Sequence, residues 1–123
     1  MVGSPYWMAP EHILGAACGR KADVWSLGGV VLEMAQGHPP WFSEEERSIA
    51  VARDTEPAAG RGRHHFGVFQ LLNRIVASTS PPPMPGSLPP PLTAFLLACF
   101  ERDAAVRAST DQLLAHEWIA QLS

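Results

Sequence analysis

The residues of this chain that could do chemistry are a hydroxyl in a proline-bracketed loop, a few charged groups set far apart, and isolated histidines and thiols. Ser4 stands in GSPYWMAPE, Gly3 to Glu11. A serine hydroxyl donates and accepts at once, which suits either a bridge between two polar groups or the closing of a turn. Pro5 and Pro10 fix the backbone and each restricts the residue before it, so the run reads as a shaped loop, neither helix nor strand. Loops of that kind hold something.

The metal-binding candidates are weak. Cys18 and Cys99 lie far apart, neither with a second Cys or a His at ligand spacing, and both read as reduced thiols, Cys99 in the core. His64 and His65 are adjacent in a Gly and Arg run with no third ligand, which reads as solvated, so no metal is expected. The glycines of GAACG, SLGGV and AAGRG do not form a GxGxxG phosphate loop.

The elements that must position these groups are helical. Ala22 to Gly37, ADVWSLGGVVLEMAQG, is apolar around most of a helical wheel, as in a buried helix. Gly28 and Gly29 are tolerated inside it by close packing on another element, Gly37 supplies a left-handed C-cap, and Pro39 and Pro40 stop it. Asp23 is an acid in its first turn, favoured there by the helix dipole. Ala52 to His65 has no apolar periodicity and reads as a flexible loop. Val68, Leu71, Leu72, Ile75 and Val76 restore helical spacing to about Ala77. SPPPMPGSLPPPL follows, extended or turned, with PxxP spacing from Pro82 to Pro85 that fits either a groove-binding ligand or a plain connection. Leu92, Phe95, Leu96, Cys99 and Phe100 form a second stripe, with Pro91 in its first turn. Ser109 and Gln112 make a capping box, and Trp118 and Ile119 fold back as an apolar anchor. Four helices, long loops and no sheet are expected.

At 123 residues and 46% hydrophobic content the chain suits one domain. A formal charge of −3 without a basic cluster gives no footprint for nucleic acid or an anionic membrane, and no window is apolar enough to span a bilayer. The cytoplasm is the expected compartment.

In order, GSPYWMAPE, ADVWSLGGVVLEM, GHPPWF, PPPMP, LLACFERDAAVR and STDQLLAHEWI resemble the C-terminal lobe of a eukaryotic protein kinase, nearest the serine/threonine mitogen-activated protein kinase kinase kinases and their STE-type relatives. Only about residues 45–66 fall outside that resemblance. It implies a mainly α fold, the large lobe of the kinase without the N-lobe sheet, as a partial domain over 1–123 with a flexible insertion at about 45–66. That stretch is either a genuine insertion or translated intron, and Met1 is either a start or an internal methionine of a longer kinase.

The resemblance also assigns roles. Gly3, Ser4, Pro5, Tyr6 and Trp7 match the loop that receives the substrate residue after the phosphoacceptor. Ser4 stands where the family carries a threonine that bridges to the catalytic aspartate; its other reading, a turn stabiliser, remains. Glu11 ends the activation segment and is expected to form a buried ion pair with Arg107, although Ala104 and Ala108 replace prolines that pre-set that turn. Asp23 matches the aspartate that accepts backbone hydrogen bonds from the catalytic loop, besides its dipole reading.

Phosphoryl transfer in this family needs a glycine-rich loop, a lysine on the phosphates, HRD with its asparagine, and DFG. None occurs in the chain, and His65-Phe66-Gly67 is no substitute, since it follows Ala-Pro-Glu and offers histidine for the metal ligand. The expectation is therefore no catalytic residue and no cofactor bound here, with ATP and Mg used by the complete domain. Protein substrates and other cascade kinases are the implied partners in signal transduction. The competing expectation is a non-catalytic interaction module. An isolated lobe would also expose the face of its central helix that packs on the missing half.

Overall fold

The computed structural model describes residues 5–16, 19–42 and 61–122, and among these it is helical with no strand. A single 3-10 turn, Pro5–Trp7, leads into α1 (Pro10–Ile13), α2 (Arg20–Gln36), α3 (Arg61–Ala77), α4 (Pro90–Cys99), α5 (Thr110–Leu114) and α6 (Glu117–Gln121). Gly3, Ser4, Cys18 and the expected insertion as far as residue 60 lie outside the described residues.

The organising element is α2, packed against α4 on one side and the Pro5–Trp7 turn on another. Its two central glycines mark those contacts. A methyl group at Gly28 would lie 2.5 Å from the Cβ of Cys99, and one at Gly29 would lie 2.8 Å from Trp7 Cδ1. Trp25, one helical turn earlier, meets Phe100 edge to face at 5.2 Å. At the far end Gly37 adopts φ 87, and its amide donates to the Glu33 carbonyl, so the helix ends in the left-handed cap before Pro39. Trp41 also takes a positive φ of 68, rare for a bulky residue. Its side chain is buried, and the Arg74 Nη1 donates to its carbonyl at 2.7 Å, which holds the strained turn against α3.

The run read as neither helix nor strand holds the Pro5–Trp7 turn and opens α1, since proline is tolerated in a first helical turn. Three other expectations need correction. First, α3 begins at Arg61 rather than Val68, so the loop reading fails over residues 61–65. Residues 61–67, RGRHHFG, leave no apolar period to read, and their two glycines cost about 1 kcal/mol each, so local propensity does not explain the early start. Second, α2 is not covered all round: Leu27, Val30 and Met34 are exposed along one stripe. Third, the segment after Ser109 folds into two short helices. The His116 Nδ1 accepts from the Trp118 amide and starts the second of them.

Other features match the reading directly. Leu92, Phe95, Leu96, Cys99 and Phe100 are all buried. Ser109 Oγ accepts from the Gln112 amide while Gln112 Oε1 accepts from the Ser109 amide, closing both halves of the capping box. Trp118 packs on Phe95 with ring centroids 4.8 Å apart. Pro82 is fully buried while Pro83, Pro89 and Pro90 are exposed, so the first proline of the PxxP pair is packed in the core. Replacing Ser109 by Ala should lower stability by about 1 kcal/mol in thermal unfolding, and Thr at the same position should retain most of it.

Candidate functional site

The end of the proline-bracketed loop is anchored from two directions. Its 3-10 turn is held from inside: the Ser26 hydroxyl, on α2, donates to the Trp7 carbonyl at 2.7 Å, and the Trp7 indole lies over Gly29. Tyr6 stands edge-on to Trp7 at 5.9 Å and to Phe42 at 6.0 Å, both half-buried. Pro10 then sits in the first turn of α1, where its missing N–H costs nothing.

The second anchor is ionic. Arg107 is 1% exposed, and its guanidinium takes Glu11 as a fork: Nη1 donates to Oε2 at 2.8 Å and Nη2 to Oε1 at 3.0 Å. The remaining donors are also used. Nε donates to the Glu101 carbonyl at 2.7 Å and Nη1 to the Lys21 carbonyl at 2.7 Å. The guanidinium carbon lies 5.2 Å from the centroid of the Trp25 ring. One buried cation thus joins α1, the start of α2 and the turn after α4. The planar five-donor geometry is specific to arginine, since a lysine could not satisfy two carboxylate oxygens and two carbonyls together.

The turn that presents Arg107 lacks the expected prolines and is set by side chains instead. Asp103 Oδ1 accepts from the Ala105 amide at 2.9 Å, and the Arg107 amide donates to the Asp103 carbonyl at 2.9 Å. Lys21 Nζ donates to the Ala104 carbonyl at 3.1 Å and to the Arg107 carbonyl. Arg102 closes the neighbouring connection by donating to the Ile75 carbonyl at 2.8 Å and to the Ser80 carbonyl.

Lys21, Arg102, Ser26 and Trp25 were not singled out in the sequence. Lys21 had a readable signal. A cation in the first turn of a helix opposes the dipole, which points to carbonyl partners elsewhere.

Asp23 lies exposed in the first turn of α2 and lines a cleft with Trp7, Met8, His12 and Ser26. The structure places it beside the loop and not against Glu11 or Arg107. Gly3 and Ser4 lie outside the described residues. Cys99 is no nucleophile at neutral pH, because burial pushes its thiol up to about 12.

The Arg107 hydrogen bonds hold the Glu11 carboxyl below the usual carboxylate range, against the opposing effect of burial. A depressed carboxyl contributes stability that is complete above its unfolded value of 4.5 and is lost as pH falls through the folded value. The chain should therefore lose stability progressively below about pH 5, and Glu11→Gln should flatten that slope while lowering stability at pH 7. Urea unfolding at a series of pH values measures both.

Comparison with known proteins shows the family. The protein kinase domain family matches residues 1–119. Mitogen-activated protein kinase kinase kinase 3 of Arabidopsis thaliana is 35% identical over 119 residues, 97% of this chain and 15% of that protein. Mitogen-activated protein kinase kinase kinase A of Dictyostelium discoideum is 38% identical over 122 residues, 99% of this chain and 11% of its own length. Cytokinesis protein sepH of Aspergillus niger is 34% identical over 119 residues, 97% of this chain and 7% of its own. The chain thus spans a small part of the curated relatives it matches.

Proposed function

Because the chain belongs to the protein kinase domain family, we propose that it forms the substrate-facing part of the C-terminal lobe of a serine/threonine kinase of the mitogen-activated protein kinase kinase kinase type. The observation that carries this reading is the tether just described: the loop ending at Glu11 is locked to Arg107, with Trp7 held by Ser26. A substrate backbone needs a rigid surface to lie on, because a misplaced hydroxyl loses the advantage of being held near the attacking geometry. In this reading Gly3 to Trp7 receive the residue after the phosphoacceptor, and Asp23 faces the catalytic loop.

The parent kinase would transfer the γ-phosphate of ATP to serine or threonine of protein substrates in a cytoplasmic signalling cascade. The residues of this chain do not fit the nucleotide or its metal. The sequence has no glycine-rich loop, HRD or DFG. Among the described residues no three His, Cys, Asp or Glu side chains come together as a metal site. No step of the transfer is therefore assigned to this chain: its contribution is to bind and orient, as a partial domain over 1–123 with an insertion at about 45–66. The alternative reading is a non-catalytic module that competes for substrates or docking partners.

Phosphate transfer to a generic Ser/Thr substrate separates the two. The 123-residue chain with ATP and magnesium should incorporate none, while a longer in-frame product carrying HRD and DFG upstream of Met1 should phosphorylate the substrate. An in-frame stop close upstream of Met1 would favour the second reading, and transfer by the 123-residue chain itself would overturn both.

A further inference from the structure

Away from the Pro5–Trp7 turn, a groove of about 310 Å³ runs between α4, the Arg107 turn, α5 and the His116 cap of α6. Its apolar walls include Leu97, Val106 and Leu113, and its polar walls Glu101, Gln112 and His116. Leu97 is 46% exposed and Val106 67%, although their neighbours Leu96 and Arg107 are buried. The volume lies at the bottom of the ~300–1,000 Å³ range of small-molecule cavities, which suits one or two aliphatic anchors better than an enclosed ligand.

Charge narrows the choice of occupant. Between Leu97 and Leu122 the exposed charged residues are Glu101, Asp103, Asp111 and Glu117, all acidic. The cations that reach this region are engaged by acceptors: Arg107 is buried against Glu11, Arg102 donates to the Ile75 and Ser80 carbonyls, and Lys21 Nζ donates to the Ala104 and Arg107 carbonyls. His116 directs its Nδ1 to the Trp118 amide. A groove half apolar and half polar, in an acidic field, repels anionic membranes and nucleic acid and attracts a cationic segment with one or two apolar anchors. No strand edge exists among the described residues, so an extended peptide has no ladder to join. The lining has neither the aromatic rings that seat a polyproline segment nor an arginine cluster for a phosphopeptide, and the acids oppose a terminal carboxylate, which leaves an amphipathic helix with anchors at i, i+3 or i+4.

We propose that this groove docks a basic amphipathic helix of a protein partner. The proposal is independent of phosphate transfer, so a chain that never joins an active kinase leaves it standing.

The probe is a fluorescein-labelled synthetic peptide about 14 residues long, the length at which an isolated helix becomes tenable. It carries leucine at i, i+3, i+4 and i+7 and lysine on the rest of its surface. A matched peptide has glutamate in place of lysine. Anisotropy titration of the 123-residue chain should show binding of the lysine peptide that weakens with added salt, and at least about tenfold weaker binding of the glutamate peptide. Leu97→Asp and Glu101→Lys, both at exposed positions, should each weaken the lysine peptide at least about tenfold with an unchanged circular dichroism spectrum. Met34→Asp, on the other exposed apolar stripe, should leave binding as it was. Equal binding of the two peptides, an unchanged affinity in either groove variant, or loss confined to Met34→Asp would overturn the proposal.

Discussion

Arg107→Met should lower stability by about 3–5 kcal/mol, a large fraction of the roughly 5–15 kcal/mol that holds a domain this small. The magnitude follows from what the side chain leaves behind. Methionine fills much of the same volume, so the cavity term is modest. The Glu11 carboxylate, however, loses both of its donors, and the Glu101 and Lys21 carbonyls each lose one. Unpaired buried acceptors each cost about 1–3 kcal/mol, and the charged one more, until Glu11 relaxes toward water. Glu11 is itself 19% exposed, which sets the loss at the low end for the acid and leaves Arg107 as the more sensitive partner. Glu11→Gln should accordingly cost less than Arg107→Met. Urea unfolding followed by circular dichroism reads both, and the tether account predicts that order.

Gly28→Val should cost about 3 kcal/mol, at the upper end of the overpacking range, and Gly28→Ala roughly half of that. Helix propensity runs the other way, since Ala in place of Gly in a helix interior gains about 1 kcal/mol. The contact decides the sign. The added carbon would meet the Cβ of Cys99 at 2.5 Å and Phe100 Cε1 at 3.1 Å, and a Cβ is fixed to its backbone, so α2 and α4 must separate. A companion change at position 99 checks the cause. Cys99→Ala keeps the obstructing carbon and should rescue nothing, whereas Cys99→Gly removes it and should couple favourably with Gly28→Ala.

These two sites show what the sequence made legible. Gly28 and Gly29 inside an apolar helix could only mean close approach, and the approach is to Cys99 and Trp7. Gly37 before two prolines, and Ser109 three residues before Gln112, carry local rules that tertiary contacts did not override. The α4 stripe was equally readable, because its five apolar positions share one helical face.

Other features depended on contacts that no local pattern encodes. A helix apolar on nearly every side does not say which side is covered, so the exposure of Leu27, Val30 and Met34 had no local signature. The start of α3 at Arg61 lies where polar residues leave no period. His116 caps a separate last helix where the sequence suggested only an apolar anchor at Trp118 and Ile119, because a histidine N-cap carries no distinctive local pattern. At the site, Glu11 and Arg107 were paired by family resemblance, since 96 residues of separation carry no spacing rule. The carbonyl network through Lys21 and Arg102 became visible only once the turn after α4 was in place.

The most direct measurement is a double-mutant cycle between Glu11→Gln and Arg107→Lys, read from urea unfolding at pH 7. Lysine keeps the charge while losing the fork, so the chain can remain folded enough to measure. If the loop and the Arg107 turn are joined by one buried ion pair, the two losses overlap. The coupling energy should then reach about 2 kcal/mol, within the range for residues sharing a network. Losses that add to within about 0.5 kcal/mol would show that the two side chains act independently, and would contradict the tethered substrate-facing lobe.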